Sequence, residues 1–447
     1  MSKSSSISEV LHNPGFTNLW INQILVQLSY NSLNFALLVW VFKLTSSTTA
    51  VSALMMAIYL PAVLFGILSG VFVDIIDRRK IIAVINLLMS ASFLGLFLYK
   101  DYYFAILGFT FLINSMGTFY LASEASAIPI VVKKDQLLMS NSIFSTTVFL
   151  TFLCGFGLSG PLISMFGVSF IFAMGAVALF IGFLLTFTMP KIVSTLDEEA
   201  LMLQQAISSL DLKKFWRIVF IEIKKTFSII KGHPQVLAAI LIISLEQSIV
   251  GILGVIIPSF FENVLRINAA DASLILVLPL GVGMILGAYL IGRMGHNLPK
   301  RYLVRSGISI AGILMFLLGS GQIITPLSYR FHATLPFFYR PSHSTTLALG
   351  AFLLGLALVS VLVPSQTVLQ EKTPESTRGK VFAVLSTCMS AFALVPILLS
   401  GALTDLFGPS TIILIIGLIL FSLGALVSSP RLFFKEILPR SWRGFIG

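Results

Sequence analysis

Residues 48–74 read TTAVSALMMAIYLPAVLFGILSGVFVD, and no charged side chain occurs in this run before Asp74. The polar stretch IIDRRK follows at 75–80, and a second apolar run, IIAVINLLMSASFLGLFLY, fills 81–99. Each run is long enough to cross the bilayer as a helix, which takes about 20 residues for 30 Å of hydrocarbon. The pattern extends along the chain: of 447 residues 57% are hydrophobic and only 11% charged, with a mean hydropathy of +0.98. Soluble domains carry about 25% charged residues. Backbone N–H and C=O groups inside lipid must bond to each other, and the runs lack the period-2 alternation of barrel strands. The sequence therefore predicts an all-α integral membrane protein.

Working outward from residue 74, spans are expected at 17–42, 48–74, 81–99, 102–130, 138–166, 168–189, 234–261, 269–292, 302–322, 345–370, 380–404 and 409–428. These twelve helices fall into two six-helix halves, 1–189 and 234–428. A polar cytoplasmic linker at 190–233 joins them, and a cytoplasmic tail at 429–447 follows. The linker places Phe215, Trp216, Val219, Phe220 and Ile223 among lysines, as an amphipathic interfacial helix does. The polar first residues lack a basic leader and a small-residue cleavage site, so the first span reads as a retained helix.

The net charge of +11 is distributed in a way that explains it. With the N-terminus inside, only five of the 29 basic residues fall in outer loops: Lys43, Lys100, Arg266, Arg330 and Arg340. This is the positive-inside pattern of an inner, plasma-type membrane protein with both termini cytoplasmic. No nucleic-acid partner is needed to account for the charge.

The halves resemble each other. Ser159-Gly160-Pro161-Leu162 with Phe166-Gly167 recurs as Ser400-Gly401-Ala402-Leu403 with Phe407-Gly408. Gly66 and Gly70 correspond to Gly283 and Gly287, and Asn13-Pro14 to His233-Pro234. The second half holds extra residues, assigned to a long outer loop at 323–344. Six crossings per half preserve orientation, so these are parallel repeats.

Residues 70–80, GVFVDIIDRRK, resemble the loop signature of the major facilitator superfamily, G-x-x-x-D-R-x-G-R-R/K. Gly70, Asp74, Arg78, Arg79 and Lys80 match, whereas Ile75 and Asp77 stand where Arg and Gly are usual. With the twelve-span, two-half layout, the resemblance covers nearly the whole chain. It implies a secondary active transporter working by alternating access, with Gly70, Asp74, Arg78 and Arg79 in a cytoplasmic gate. It also implies a monomer with a small-molecule substrate, a coupling ion and no cofactor.

A second resemblance is to the efflux branch, especially macrolide-type and siderophore exporters. It rests on NPGFTNLWINQ from Asn13, on LTSSTTA, LPAVLFGILSG and AIPIVVKKDQLLMSNSI at 127–143, and on GPLI at 160–163. It implies export by proton antiport and adds Gly160 and Pro161 of the fifth span to the gate, Pro161 as a kink. The trailing glycines of that exporter motif are replaced from Ser164, and the fourth-span Arg of proton-coupled drug exporters is absent from INSMGTFY at 113–120.

Polar residues inside the spans are the candidate site. Gln23, Gln27, Asn31 and Asn34 fall within an arc of about 80° on the first helix, at 100° per residue. Four amides facing lipid are costly, so the stripe should face a cavity or another helix; the family resemblance, which places the first span beside the substrate, favours the cavity. Glu124 in span four and Glu246 in span seven have no Lys or Arg at matching depth. Both are candidates to exchange the coupling proton, Glu246 also to meet substrate, and hydrogen bonding to a neighbouring helix is the alternative role. Asp405, near the outer end of span eleven, reads as a capping or interfacial residue.

Other classes fit poorly. The five histidines lie in loops or at helix ends, and G-x-S-x-G, H-E-x-x-H and P-loop patterns are absent, which argues against an intramembrane enzyme or an ATPase. No filter-like segment suggests a channel. An uptake permease and a lipid flippase of the same fold remain as alternatives to export. The topology makes a direct prediction. After replacement of Cys154 and Cys388, single cysteines at 133, 301 and 378 should resist an impermeant thiol reagent added outside, and those at 330 and 340 should react. Labelling of position 133 from outside would overturn the orientation.

Overall fold

The computed structural model describes residues 7–133, 136–192, 230, 232–294, 299–331, 343–373 and 378–426. The expected amphipathic linker helix and the tail expected to be cytoplasmic lie outside the described residues. After a short helix at Ile7–Leu11 come α1 (Pro14–Thr45), α2 (Thr48–Ile75), α3 (Arg78–Leu98), α4 (Tyr103–Val131), α5 (Leu137–Phe166) and α6 (Val168–Thr186). Then follow α7 (Pro234–Ser259), α8 (Leu278–Met294), α9 (Lys300–Phe331), α10 (His343–Lys372), α11 (Arg378–Phe407) and α12 (Pro409–Leu426). Among the described residues eleven helices are long and apolar enough to cross a membrane, and Pro409–Ala425 is a shorter apolar helix. No strand occurs among them.

The helix ends show local chemistry. Asp77 caps α3, its Oδ1 accepting from the Arg79 N–H at 3.0 Å, which satisfies one of the free donors at a helix start. Gly167 and Gly408 are the single-residue turns between α5 and α6 and between α11 and α12, with φ of 77° and 79°. Their N–H groups donate to Ile163 and Thr404, each four residues back. The sequence repeat thus has one backbone geometry in both copies, and the left-handed conformation explains the glycine. Pro161 does not break α5, which continues to Phe166.

Two boundaries differ from expectation. Helix α9 continues to Phe331, through residues assigned above to an outer loop. Gly-Ser-Gly-Gln at 319–322 ends the apolar run, but hydropathy limits what sits in lipid and does not stop backbone hydrogen bonding. Between α7 and α8 the chain passes through a wide π turn, Phe260–Leu265, reverses at Arg266 with φ of 60°, and re-enters through a 3-10 turn capped by Asn268 and a second π turn, Ser273–Val277.

The helices group into two compact units. One comprises Met1–Trp40 with Met56–Phe227, and the other Val41–Met55 with Ser228–Gly447. The end of α1 and the start of α2 thus belong with the second unit. Asp405 at the end of α11 explains part of this: its carboxylate accepts from the Thr48 and Thr49 N–H groups at 2.8 and 2.9 Å, and from the Thr49 and Ser47 hydroxyls at 2.7 and 3.0 Å. It is an N-cap for α2 supplied by another helix, favoured also by the positive end of the helix dipole. One turn away, Ser52 donates to the Ile397 carbonyl at 3.0 Å.

Lipid tails are as apolar as leucine, so burying leucine between membrane helices yields little hydrophobic gain; close packing and interhelical hydrogen bonds take over. The second unit shows this on α9 and α12. Gly312 and Gly319 face Phe421 and Leu414, while Gly417 and Gly424 face Phe316 and Ser309. A Cβ on Gly417 would stand 2.3 Å from the Phe316 nitrogen. Gly283 and Gly287 of α8 likewise lie against Phe352 and Leu356 of α10, whereas a Cβ on their sequence counterpart Gly70 meets nothing within 4 Å among the described residues. Gly417→Ala should therefore destabilise the protein by about 1–3 kcal/mol through forced helix separation. Gly292→Ala, with open space around its Cα, should leave the unfolding temperature in detergent unchanged or raise it. Equal melting of the two variants would refute the interlock.

Candidate functional site

The first unit buries a polar cluster at the level of Asn22. The Asn22 side chain is fully buried, and its Nδ2 donates to the Gly182 carbonyl of α6 at 2.8 Å. Its Oδ1 faces two donors: Asn86 Nδ2 of α3 at 3.1 Å and the Tyr120 hydroxyl of α4 at 2.9 Å. One helical turn further, Glu124 Oε1 lies 3.1 Å from the same hydroxyl. Gly182 makes the approach possible, since a Cβ there would lie 3.1 Å from Asn86 Nδ2. Glu124 thus has polar neighbours from its own helix and, through Tyr120, from α1, α3 and α6. Asn22, Asn86 and Tyr120 are not on the sequence-based site; the available signal was an asparagine inside each of two apolar runs.

The amide stripe of α1 divides between two environments. Gln23 is 1% exposed and donates from Nε2 to the Phe144 carbonyl of α5 at 3.4 Å. Asn31 lies against Gly155 of α5, 2.6 Å from where a Cβ would stand, and Ser32 donates to the Gly155 carbonyl at 3.3 Å. These residues seat α1 on α5, helped by the Trp20 indole donating to Thr147 at 2.7 Å. Gln27 and Asn34 are half-buried. Asn34 hydrogen-bonds Tyr30, and the Tyr30 hydroxyl donates to Asn114 of α4. Gln23 Oε1 and Asn34 Oδ1 are buried without a hydrogen-bond partner among the described residues.

Glu246 lies in the second unit, in the middle of α7. Its side chain is 8% exposed, and Oε2 has no hydrogen-bond partner among the described residues. A cavity of about 370 Å³ opens between α7, α11 and α12, lined by Leu245, Ser248, Ile249, Phe392, Pro396 and Ile416 among others, but Glu246 does not line it. Glu124 and Glu246 belong to different units and share no cluster within either.

At the signature of residues 70–80, Asp74 lies in the last turn of α2, and its side chain is outside the described residues. Arg78 is 3% exposed; its Nε donates to Ser126 of α4 at 3.3 Å and its N–H to the Ile192 carbonyl at 3.1 Å. Arg79 Nη2 donates to the Phe187 carbonyl at 3.1 Å. Asp77, where the signature usually has glycine, also accepts from the Ile192 N–H at 3.2 Å. The run therefore ties the start of α3 to α4 and to the chain leaving α6. Gly160 is buried on α5, and Pro161 beside it is half-buried.

Comparison with known proteins places this architecture. The family described as Major Facilitator Superfamily matches residues 19–339 and 331–443. The chain belongs to the Major Facilitator Superfamily. As a member it is a membrane transporter for small molecules and not an enzyme. Macrolide efflux protein A of Streptococcus pyogenes is 21% identical over 402 residues, covering 88% of this chain and 90% of the relative. A POT family transporter in complex with 5-aminolevulinic acid shares the fold at a TM-score of 0.70 and 12% identity, over 96% of this chain and 98% of that one. The nucleoside transporter NupG does so at 0.66 and 14%, over 92% and 98%.

Within this superfamily fold the split stripe is testable. Cysteines at 27 and 34 should react with small polar thiol reagents faster than those at 23, 32 and 36, where burial is almost complete. Equal rates at all five positions would remove the distinction.

Proposed function

We propose that this transporter exports a small molecule by proton antiport with alternating access, Glu246 and Glu124 being its proton-exchanging groups. The observation that carries the reading is Glu246, a carboxyl group buried in a membrane helix with an oxygen unpartnered among the described residues. An isolated carboxylate in such a place is costly, and intramembrane acids of this kind mark ion pathways. Twelve residues beyond Pro234, it stands about 18 Å along the helix, near the bilayer middle.

Export, rather than uptake or lipid flipping, is supported by the similarity to Macrolide efflux protein A over 88% of this chain. The half-buried Gln27 and Asn34 supply hydrogen-bonding groups for a polar part of the substrate, with Gln23 and Asn31 holding α1 in place behind them. Asp74, Arg78 and Arg79, with Gly70, Gly160 and Pro161, form the candidate gate, and Arg78 is supported by its buried bond to Ser126. We propose a plasma-type membrane location with both termini cytoplasmic, on the distribution of the basic residues, and a monomer, on the superfamily resemblance.

Glu246→Gln keeps the shape and permanently mimics the protonated form. In proteoliposomes it should abolish gradient-driven accumulation while leaving downhill flux or exchange in place. Accumulation that remains near normal and still follows the pH gradient would rule out Glu246 as the essential proton carrier.

A further inference from the structure

The hydrogens in the Asn22 cluster can be counted. The Gly182 carbonyl accepts only, so the Asn22 group 2.8 Å from it must be the amide nitrogen. That fixes Asn22 Oδ1 toward Asn86 Nδ2 and the Tyr120 hydroxyl, at 3.1 and 2.9 Å. Two oxygens at 2.9 Å need a proton between them, and Asn22 Oδ1 has none, so Tyr120 donates its single hydroxyl hydrogen to Asn22. The remaining contact, Tyr120 oxygen to Glu124 Oε1 at 3.1 Å, is then a full hydrogen bond only when Glu124 carries the proton, because the Tyr120 hydrogen is already given to Asn22.

From this count we infer that the Tyr120 hydroxyl is a two-position switch that reports the proton on Glu124 to α1. With Glu124 protonated, the carboxyl O–H donates to Tyr120 and Tyr120 donates to Asn22, linking α4 to α1 and, through Asn86, to α3. When the carboxyl proton leaves to water, the Tyr120 hydroxyl rotates and donates to the new carboxylate. No proton is lost from Tyr120; only its bond to Asn22 is broken. Asn22 keeps Gly182 and Asn86, so the change is confined to the tie between α1 and α4. The arrangement deepens the antiport reading and rests on it for its role in transport, but the donor count stands on geometry alone.

The surrounding helices carry their own charged and titratable groups. On α3 Arg78 bonds Ser126 and has further interactions, and Arg79 reaches the Phe187 carbonyl; Lys80 follows in the same turn. On α1 Tyr30 is engaged with Asn114, and Lys43 lies in the last turn. On α2 are Tyr59 and Asp74, and on α4 itself Tyr103 at its start. Helices α5 and α6 hold no charged residue.

Infrared spectra of the full-length protein in lipid nanodiscs, taken across a pH series, test the switch without requiring transport. At neutral pH the wild type should show the carbonyl band of a protonated carboxylic acid that Glu124→Gln lacks. Tyr120→Phe, which preserves the ring and removes only the hydroxyl, should keep the band but displace it. A wild-type spectrum identical to that of Glu124→Gln in this region would overturn the inference, because Glu124 would then be ionised. An undisplaced band in Tyr120→Phe would overturn it too, because the carboxyl would not be donating to that hydroxyl. Parallel proteoliposomes with an internal pH dye separate the two readings. A band that behaves as stated in a protein that moves no protons supports the switch and overturns antiport alone.

Discussion

Everything in this protein depends on the absence of water around the spans. A peptide group in hydrocarbon has only other peptide groups to bond, and α-helices satisfy that requirement within a single segment. The same lack of water removes the usual reason for helices to associate, since a leucine gains little by leaving lipid for a leucine-lined interface. What holds the helices together within each unit is therefore polar bonding and close backbone approach. The glycines interlocked between α9 and α12 and the hydroxyls of Ser32, Ser52 and Ser90, each donating to a carbonyl on a neighbouring helix, are both expressions of that constraint.

Buried polar groups consequently carry more information here than they do in a soluble core. Asn22, Asn86, Tyr120 and Glu124 form a cluster in which the acid has a partner, and the direction of its hydrogen bonds depends on one proton. Glu246 has an oxygen without any such partner among the described residues. Two acids of similar burial thus stand in different chemical situations: one is built into a hydrogen-bonded network, and the other keeps an oxygen with no partner among the described residues.

Much of the architecture was legible in the residues. Apolar runs of span length marked the helices because hydropathy and bilayer thickness are both local properties of a segment. The repeat of Phe166-Gly167 as Phe407-Gly408 announced two equal turns, and both glycines adopt nearly the same left-handed φ. Asp77 before Arg78 was a readable capping signal that the family signature, with glycine at that place, obscured. The polar face of α1 was harder. Its 80° stripe is a property of an isolated helix, and neighbouring helices divided it, drawing Gln23 and Asn31 onto α5 while the adjacent Asn22, 100° away from Gln23, became the centre of the buried cluster.

The sequence by itself determined that the chain spans a membrane, where its helices begin within a few residues, that it repeats, and which superfamily it joins. The first three follow from composition, period and spacing, and the last from the resemblance of residues 70–80 to the superfamily's signature; all are written along one strand of chain. Only the tertiary structure decided that Asp405 caps a helix more than three hundred residues away in the chain, that Val41–Met55 packs with the second unit, and that Glu124 answers to Asn22 through Tyr120. Such pairings join residues with no sequence period in common. They arise from which helix faces meet, and in lipid that is settled by the few places where a glycine or a hydrogen bond lets two backbones come close.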